Sequence, residues 1–182
     1  MKKVSDIHAI KIIFFITACY VGLWAIRIPT IKDQLQTDYV GVGYIMLSFA
    51  IGSIVAMIFA NALILKTSTK SILTCTLIAE GCLWLPVPFI QELWLFMVFS
   101  FVFGMSYGAF EIACNVYASN LEVREKKSMM SGFHAFWSLG VLFGSLITSF
   151  LLEWNYSFIF NILLYVIILL PLSLYFLSLI HI

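Results

Sequence analysis

The chain has 182 residues, 63% of them hydrophobic and only 10% charged, with a mean hydropathy of +1.06 and a formal net charge of +1. So few charges cannot cover the surface of a water-soluble domain, which argues against a secreted or cytosolic protein and makes lipid the solvent for much of the surface. The near-neutral balance and the lack of any basic run give no footing for nucleic acid.

A bilayer core takes about 20 apolar residues per helix. Breaks at proline, glycine and charge clusters predict six spans: 8–28, 41–64, 72–90, 93–118, 129–151 and 156–180. The first apolar run follows Lys2, Lys3 and Lys11, as in a signal peptide. It lacks a small-x-small cleavage site and is followed by more spans, so it reads as a transmembrane helix. The connectors "RIPTIKDQLQTD", "KTSTK", "PVPFIQE", "LEVREKKS" and "EWN" are short and leave no room for a soluble domain.

Near the end of the first span stand Trp24 and Arg27, in "LWAIRIP". Arg27 reads either as a cation snorkelling to the interface or as a counter-charge or solute ligand in the outer mouth. The third span carries one acid, Glu80, without a polar stripe around it, and packing and function are balanced readings there.

The fourth span is the most informative. Ser100, Gly104, Gly108, Glu111 and Asn115 fall at i, i+4, i+8, i+11 and i+15, one helical stripe. Small residues allow a neighbouring helix to approach, and the carboxylate and amide beyond them face a bundle interior or a wet cavity, because an ionised group in lipid is expensive. The opposite surface, with Phe99, Phe103 and Phe110, is predicted to meet lipid or apolar neighbours. "GMSYG" (104–108) also spells G-x-S-x-G, but that motif draws its meaning from a strand-to-helix turn.

In the fifth span His134 shares a face with Trp137 and Ser138, and reads as either an interhelical hydrogen-bonding group or a proton relay. Gly140 and Gly144 form a G-x-x-x-G packing surface. The four cysteines (Cys19, Cys75, Cys82, Cys114) form no C-x-x-C pair and read as small buried hydrophobes, with no metal site or redox dithiol and no cofactor motif. With the N-terminus inside, eight of the ten Lys and Arg residues fall in cytoplasmic segments, leaving Arg27 and Lys32 outside. That bias predicts both termini in the cytoplasm.

Six helices with a basic loop after the second span resemble the N-terminal half of a major facilitator superfamily transporter. The nearest likeness is to its fucose-permease-like branch of sugar/proton symporters. "FEIACN" (110–115) is similar to that branch's E-x-x-x-N, while "GLWAIRIPTIKDQL" (22–35) and "GFHAFWSLGVLFG" (132–144) resemble related bacterial permeases in order and spacing. The resemblance implies two three-helix repeats, Glu111 as the proton-linked carboxylate, and Asn115 as a ligand or orienting amide. It also implies Arg27, His134, Trp24 and Trp137 as cavity-lining residues, with Glu80 second in rank. The loop "NALILKTSTKSIL" (61–73) departs from the superfamily's signature, with Leu65 in place of the acid and Asn61 and Ser68 in place of the glycines.

These readings add up to an all-α polytopic protein of a bacterial cytoplasmic membrane, forming half of a twelve-helix fold. The function expected is proton-coupled transport of a small polar solute, with a sugar as one candidate. Since such solute routes run between two six-helix halves, a second half is expected as partner: a second copy or a separate chain. The alternatives are a truncated, inactive or partner-binding membrane protein and, remotely, an intramembrane serine protease using Ser106. The protease reading places its histidine in the sixth span, where residues 156–180 have none and His181 comes later.

Overall fold

The computed structural model describes residues 6–180, with backbone alone for residues 60–63 and 65. Lys2, Lys3 and His181, and the side chains of Asn61, Leu63 and Leu65 in the loop motif, lie outside the described residues. The elements are α1 (Asp6–Gln34), α2 (Tyr39–Lys66), α3 (Thr69–Trp84), a 3-10 turn (Val87–Phe89), α4 (Leu93–Glu125), α5 (Met130–Glu153) and α6 (Phe158–Ser178). No strand occurs among the described residues. Among the described residues, six helical segments are long and apolar enough to cross a membrane, α3 being counted together with the turn that follows it.

Helix ends differ from the predicted spans for local reasons. α1 runs on through "IPTIKDQ" to Gln34, because Ile31 and Leu35 continue its apolar face into the core. Pro29 sits inside it; proline removes one ladder hydrogen bond, which membrane helices tolerate when neighbours satisfy the freed carbonyl. α3 ends at Trp84 rather than 90, where Pro86 and Pro88 cannot donate to a helix and the chain tightens into the 3-10 turn. α4 reaches Glu125 because Tyr117, Ala118 and Leu121 are still buried, and it stops where Lys126 turns left-handed (φ 52°, ψ 39°). Oxygen atoms of Asp38, Ser68 and Ser157 accept backbone N–H groups at the starts of α2, α3 and α6, each such cap contributing about 1 kcal/mol.

The packing repeats itself. α2 lies along α4 as α1 lies along α5; α3 touches α4 as α6 touches α1; and α3 meets α6. Exchanging α1–α3 for α4–α6 leaves this pattern unchanged, which is the arrangement of two three-helix repeats. Glycines make the two long contacts possible. A Cβ on Gly108 would stand 2.8 Å from the Cα of Ser53 in α2, and one on Gly144 would stand 2.7 Å from the Cα of Cys19 in α1. Gly104 and Gly52 meet the Phe49 and Phe101 backbones in the same way, and Gly140 meets Phe15. Close approach of this kind substitutes for the hydrophobic drive that helices in lipid lack.

Two apolar clusters fill the bundle, one around Ile10, Phe14, Leu77 and Phe133, the other around Leu23, Trp84, Phe96 and Ile162. The first lies toward the end that holds the α2–α3 and α4–α5 connectors. There Arg124 pairs with Asp6 and the Lys70 ammonium donates to the Ile180 carbonyl. At the other end Gln34 donates to the carbonyls of Val87 and Ile90, at 2.9 and 2.6 Å.

Of the two alternatives for the phenylalanine surface of α4, lipid or apolar neighbours, Phe103 and Phe110 take the second: both are buried in the apolar clusters. The outward side of α4 carries Trp94, Val98, Val102 and Met105. The expectation that all four cysteines are buried is corrected: Cys19 and Cys114 are buried, but Cys75 and Cys82, two turns apart on α3, are exposed.

Candidate functional site

A cavity of about 300 Å³ lies in the bundle between α1 and α4, floored by α3. Helical spacing brings each wall together. α1 supplies Tyr20, Val21 and Trp24; α3 supplies Glu80 and Trp84, one turn apart; α4 supplies Ser100, Phe103 and Tyr107 at i, i+3 and i+7. Met46 and Phe49 of α2 and Trp137 of α5 complete it.

Several of its rings are set at steep angles to one another. Trp84 meets Phe103 edge to face (centroids 5.6 Å apart, 85°) and Trp24 at 6.0 Å and 62°, while Phe49 meets Phe103 at 6.0 Å and 87°. Such pairs are individually favourable, and together they point ring faces in several directions. Tyr20 stacks on Trp84, and its hydroxyl donates to the Tyr165 carbonyl.

Among the described residues, Glu80 is the one acidic or basic side chain in the lining. It is only 6% exposed, and among the described residues its carboxyl forms no hydrogen bond or ion pair. A second carboxyl is close by: Glu111, half-buried on α4, follows Tyr107 by one turn. The Tyr107 hydroxyl lies within electrostatic reach of both acids.

The stripe read along α4 therefore divides. Ser100 lines the cavity, Gly104 and Gly108 abut α2, and Glu111 and Asn115 lie half-buried beyond the cavity wall. The Asn115 Oδ1 is buried without a hydrogen-bond partner among the described residues. Trp24 and Trp137 are in the lining; Arg27 and His134 are not. Arg27, 2% exposed, turns away to α6, donating to Asn161 Oδ1 at 3.1 Å and to the Tyr156 carbonyl at 3.2 Å, with the Phe158 ring 5.3 Å away. His134 is exposed, with its ring edge-on to Phe14 at 5.8 Å.

Most of the lining went unread in the sequence. Tyr20, Trp84 and Tyr107 lie one turn from Trp24, Glu80 and Glu111, and that i, i+4 spacing is the signal that finds them. No cluster of three or more His, Cys, Asp or Glu side chains suited to a metal occurs among the described residues.

The sequence profile of the Major Facilitator Superfamily matches residues 12–180. The chain belongs to that superfamily. Its members are transporters rather than enzymes, so the G-x-S-x-G reading lapses. Ser106 sits in mid-helix and its Oγ has no hydrogen-bond partner among the described residues, so nothing there activates a nucleophile. Among curated proteins, this superfamily member is 28% identical over 145 residues to an uncharacterized MFS-type transporter of Yersinia pestis, covering 78% of this chain and 37% of that protein. It is 25% identical over 141 residues to the uncharacterized transporter y4wD of Sinorhizobium fredii, covering 72% of this chain and 35% of that one. The chain thus spans little more than a third of the curated relatives it matches. No solved structure matches it.

Proposed function

We propose that this six-helix unit forms one wall of a proton-coupled solute route in a bacterial cytoplasmic membrane, facing a second six-helix half. The observation that carries the reading is the cavity between α1 and α4, with one unpartnered carboxyl inside it and another a turn outside. Superfamily transporters hold their solutes near the bilayer midplane between two halves that rock against each other. The length of the relatives supports a second half, whether continuous with this chain, a separate chain or a second copy. Both termini would face the cytoplasm, by the distribution of lysine and arginine.

In this mechanism Glu80 meets the solute, with Ser100 and the Tyr107 hydroxyl as further polar contacts. Glu111 takes up a proton when the route opens to the acidic side. Neutralising it lowers the cost of closing that side against lipid and apolar packing. Tyr107, within electrostatic reach of both acids, communicates their charge states. Asn115, one turn beyond Glu111, orients its carboxyl, and Trp24 and Trp137 pack against the solute. Arg27 has a positioning role instead, fixing α1 to α6, and His134 stands outside the route. The likeness of "FEIACN" to the fucose-permease branch makes a sugar one candidate solute.

The test is Glu111→Gln in proteoliposomes holding the assembled transporter, with a pH gradient as the driving force. Gradient-driven accumulation should be lost while solute exchange continues. Accumulation with an unchanged pH dependence would remove Glu111 from the coupling step.

A further inference from the structure

The lining of the cavity carries information about charge that the family does not. A carboxyl group 6% exposed, facing a cavity and bonded to nothing among the described residues, is a costly arrangement unless something completes it. Among the described residues, no lysine, arginine or histidine shares the lining. Arg27, the closest cation along α1, is absent from that lining and committed to Asn161 and the Tyr156 carbonyl. An anionic solute would therefore find repulsion and no counter-charge.

A neutral polyol needs many directional partners for its hydroxyls. Here the walls are mostly ring carbon, and the Tyr20 hydroxyl is already spent on Tyr165. What the walls offer in quantity is π surface. Trp24 meets Trp84, Trp84 meets Phe103 and Phe103 meets Phe49 at 60° or more, while Tyr20 stacks on one face of Trp84. An aromatic box closed by one carboxylate is complementary to a cation whose charge is spread over an apolar body.

We infer that the cavity binds a monovalent organic cation, an alkyl- or arylammonium, with Glu80 as its counter-charge and Trp24, Trp84 and Phe103 as its π walls. The inference rests on the transport reading above for its physiological meaning, but the binding event stands on this chain alone. The cation and a proton then compete for the same carboxyl, so the cavity is either charged and filled or protonated and empty.

The experiment uses the full chain in nonionic detergent, with intrinsic tryptophan fluorescence as the signal, since three tryptophans line the cavity. The probes are benzyltrimethylammonium, its uncharged carbon isostere neopentylbenzene, and L-fucose as a neutral sugar. Saturable quenching by benzyltrimethylammonium is expected, weakened about tenfold or more by Glu80→Gln, with the isostere unaffected by that change. Glu80→Asp should keep the preference for the cation. Because Glu80 holds no hydrogen-bond or ion-pair partner among the described residues, Glu80→Gln should elute and melt like the parent chain, and that comparison guards against misfolding.

Equal binding of cation and isostere overturns the inference. So does a Glu80→Gln chain that binds the cation as before, a preference for L-fucose, or no saturable binding of the cation at all. Failure of the transport reading looks different. It would leave cation binding intact while Glu111→Gln changes no gradient-driven flux, whereas failure here would leave that flux assay untouched.

Discussion

Replacing Gly144 with alanine asks how tightly the two three-helix repeats are locked together. The new Cβ would lie 2.7 Å from the Cα and 2.8 Å from the carbonyl carbon of Cys19, with the Cys19 oxygen nearer still. Ordinary contact begins near 3.4 Å, so α1 and α5 must part by at least about 0.7 Å. All three atoms are backbone, and no rotamer change can move them aside. Overpacking of this kind costs about 1–3 kcal/mol, and the rigid neighbour puts Gly144 toward the upper part of that range.

Alanine returns something by its better helix propensity, about 0.5–1 kcal/mol. The clash is larger, so the net effect is a loss of about 1–2 kcal/mol. At roughly 2–4 °C per kcal/mol for a chain of this size, the apparent Tm should fall by about 2–8 °C. The Tyr165 hydroxyl, which donates to the Gly144 carbonyl at 2.7 Å, moves with the backbone and adds to the loss. Two alanine substitutions serve as controls. Nothing lies within 4 Å of a Cβ on Gly43, and one on Gly132 meets only the Lys11 tip at 3.9 Å. There the propensity gain is unopposed, and the melting temperature should hold or rise. The assay is thermal unfolding in detergent followed by size-exclusion chromatography. If Gly144→Ala melts no lower than Gly43→Ala, the close helix approach is wrong.

Arg27→Met leaves Asn161 Oδ1 and the Tyr156 carbonyl without their donor in a buried site. It should cost about 1–3 kcal/mol by the same thermal assay. Arg27→Lys should recover only part, since one ammonium cannot reproduce the guanidinium fork. Glu122 accepts the backbone N–H groups of Met129 and Met130 at the start of α5. Glu122→Ala should loosen that first turn, read as faster amide exchange over residues 127–134. Glu122→Gln should slow it again, because an amide oxygen still accepts.

Composition and helical period are properties of the chain alone, and they were enough for the fold class. Runs of about 20 apolar residues can only be satisfied as helices in a bilayer. The likeness of short motifs carried the family, which the match over residues 12–180 then showed. Spacing also placed Trp24 and Trp137 beside polar positions. Where helices stop was less legible: α1 and α4 run past polar residues because their buried faces continue, and burial depends on what stands opposite.

The site itself was decided by tertiary structure. Glu80 looked unremarkable in sequence because its companions are aromatic rather than polar, and an aromatic stripe in a membrane helix is indistinguishable from lipid-facing surface. Only the meeting of α1, α3 and α4 turns Trp84, Tyr20 and Phe103 inward around it. Arg27 illustrates the converse. Its charge and position fit a solute ligand equally well until Asn161, 134 residues away in the chain, claims the guanidinium. A helix's periodicity says which residues share a face, and that much is local. Which face meets a cavity, a neighbour or lipid depends on the other five helices, and no single segment contains that information.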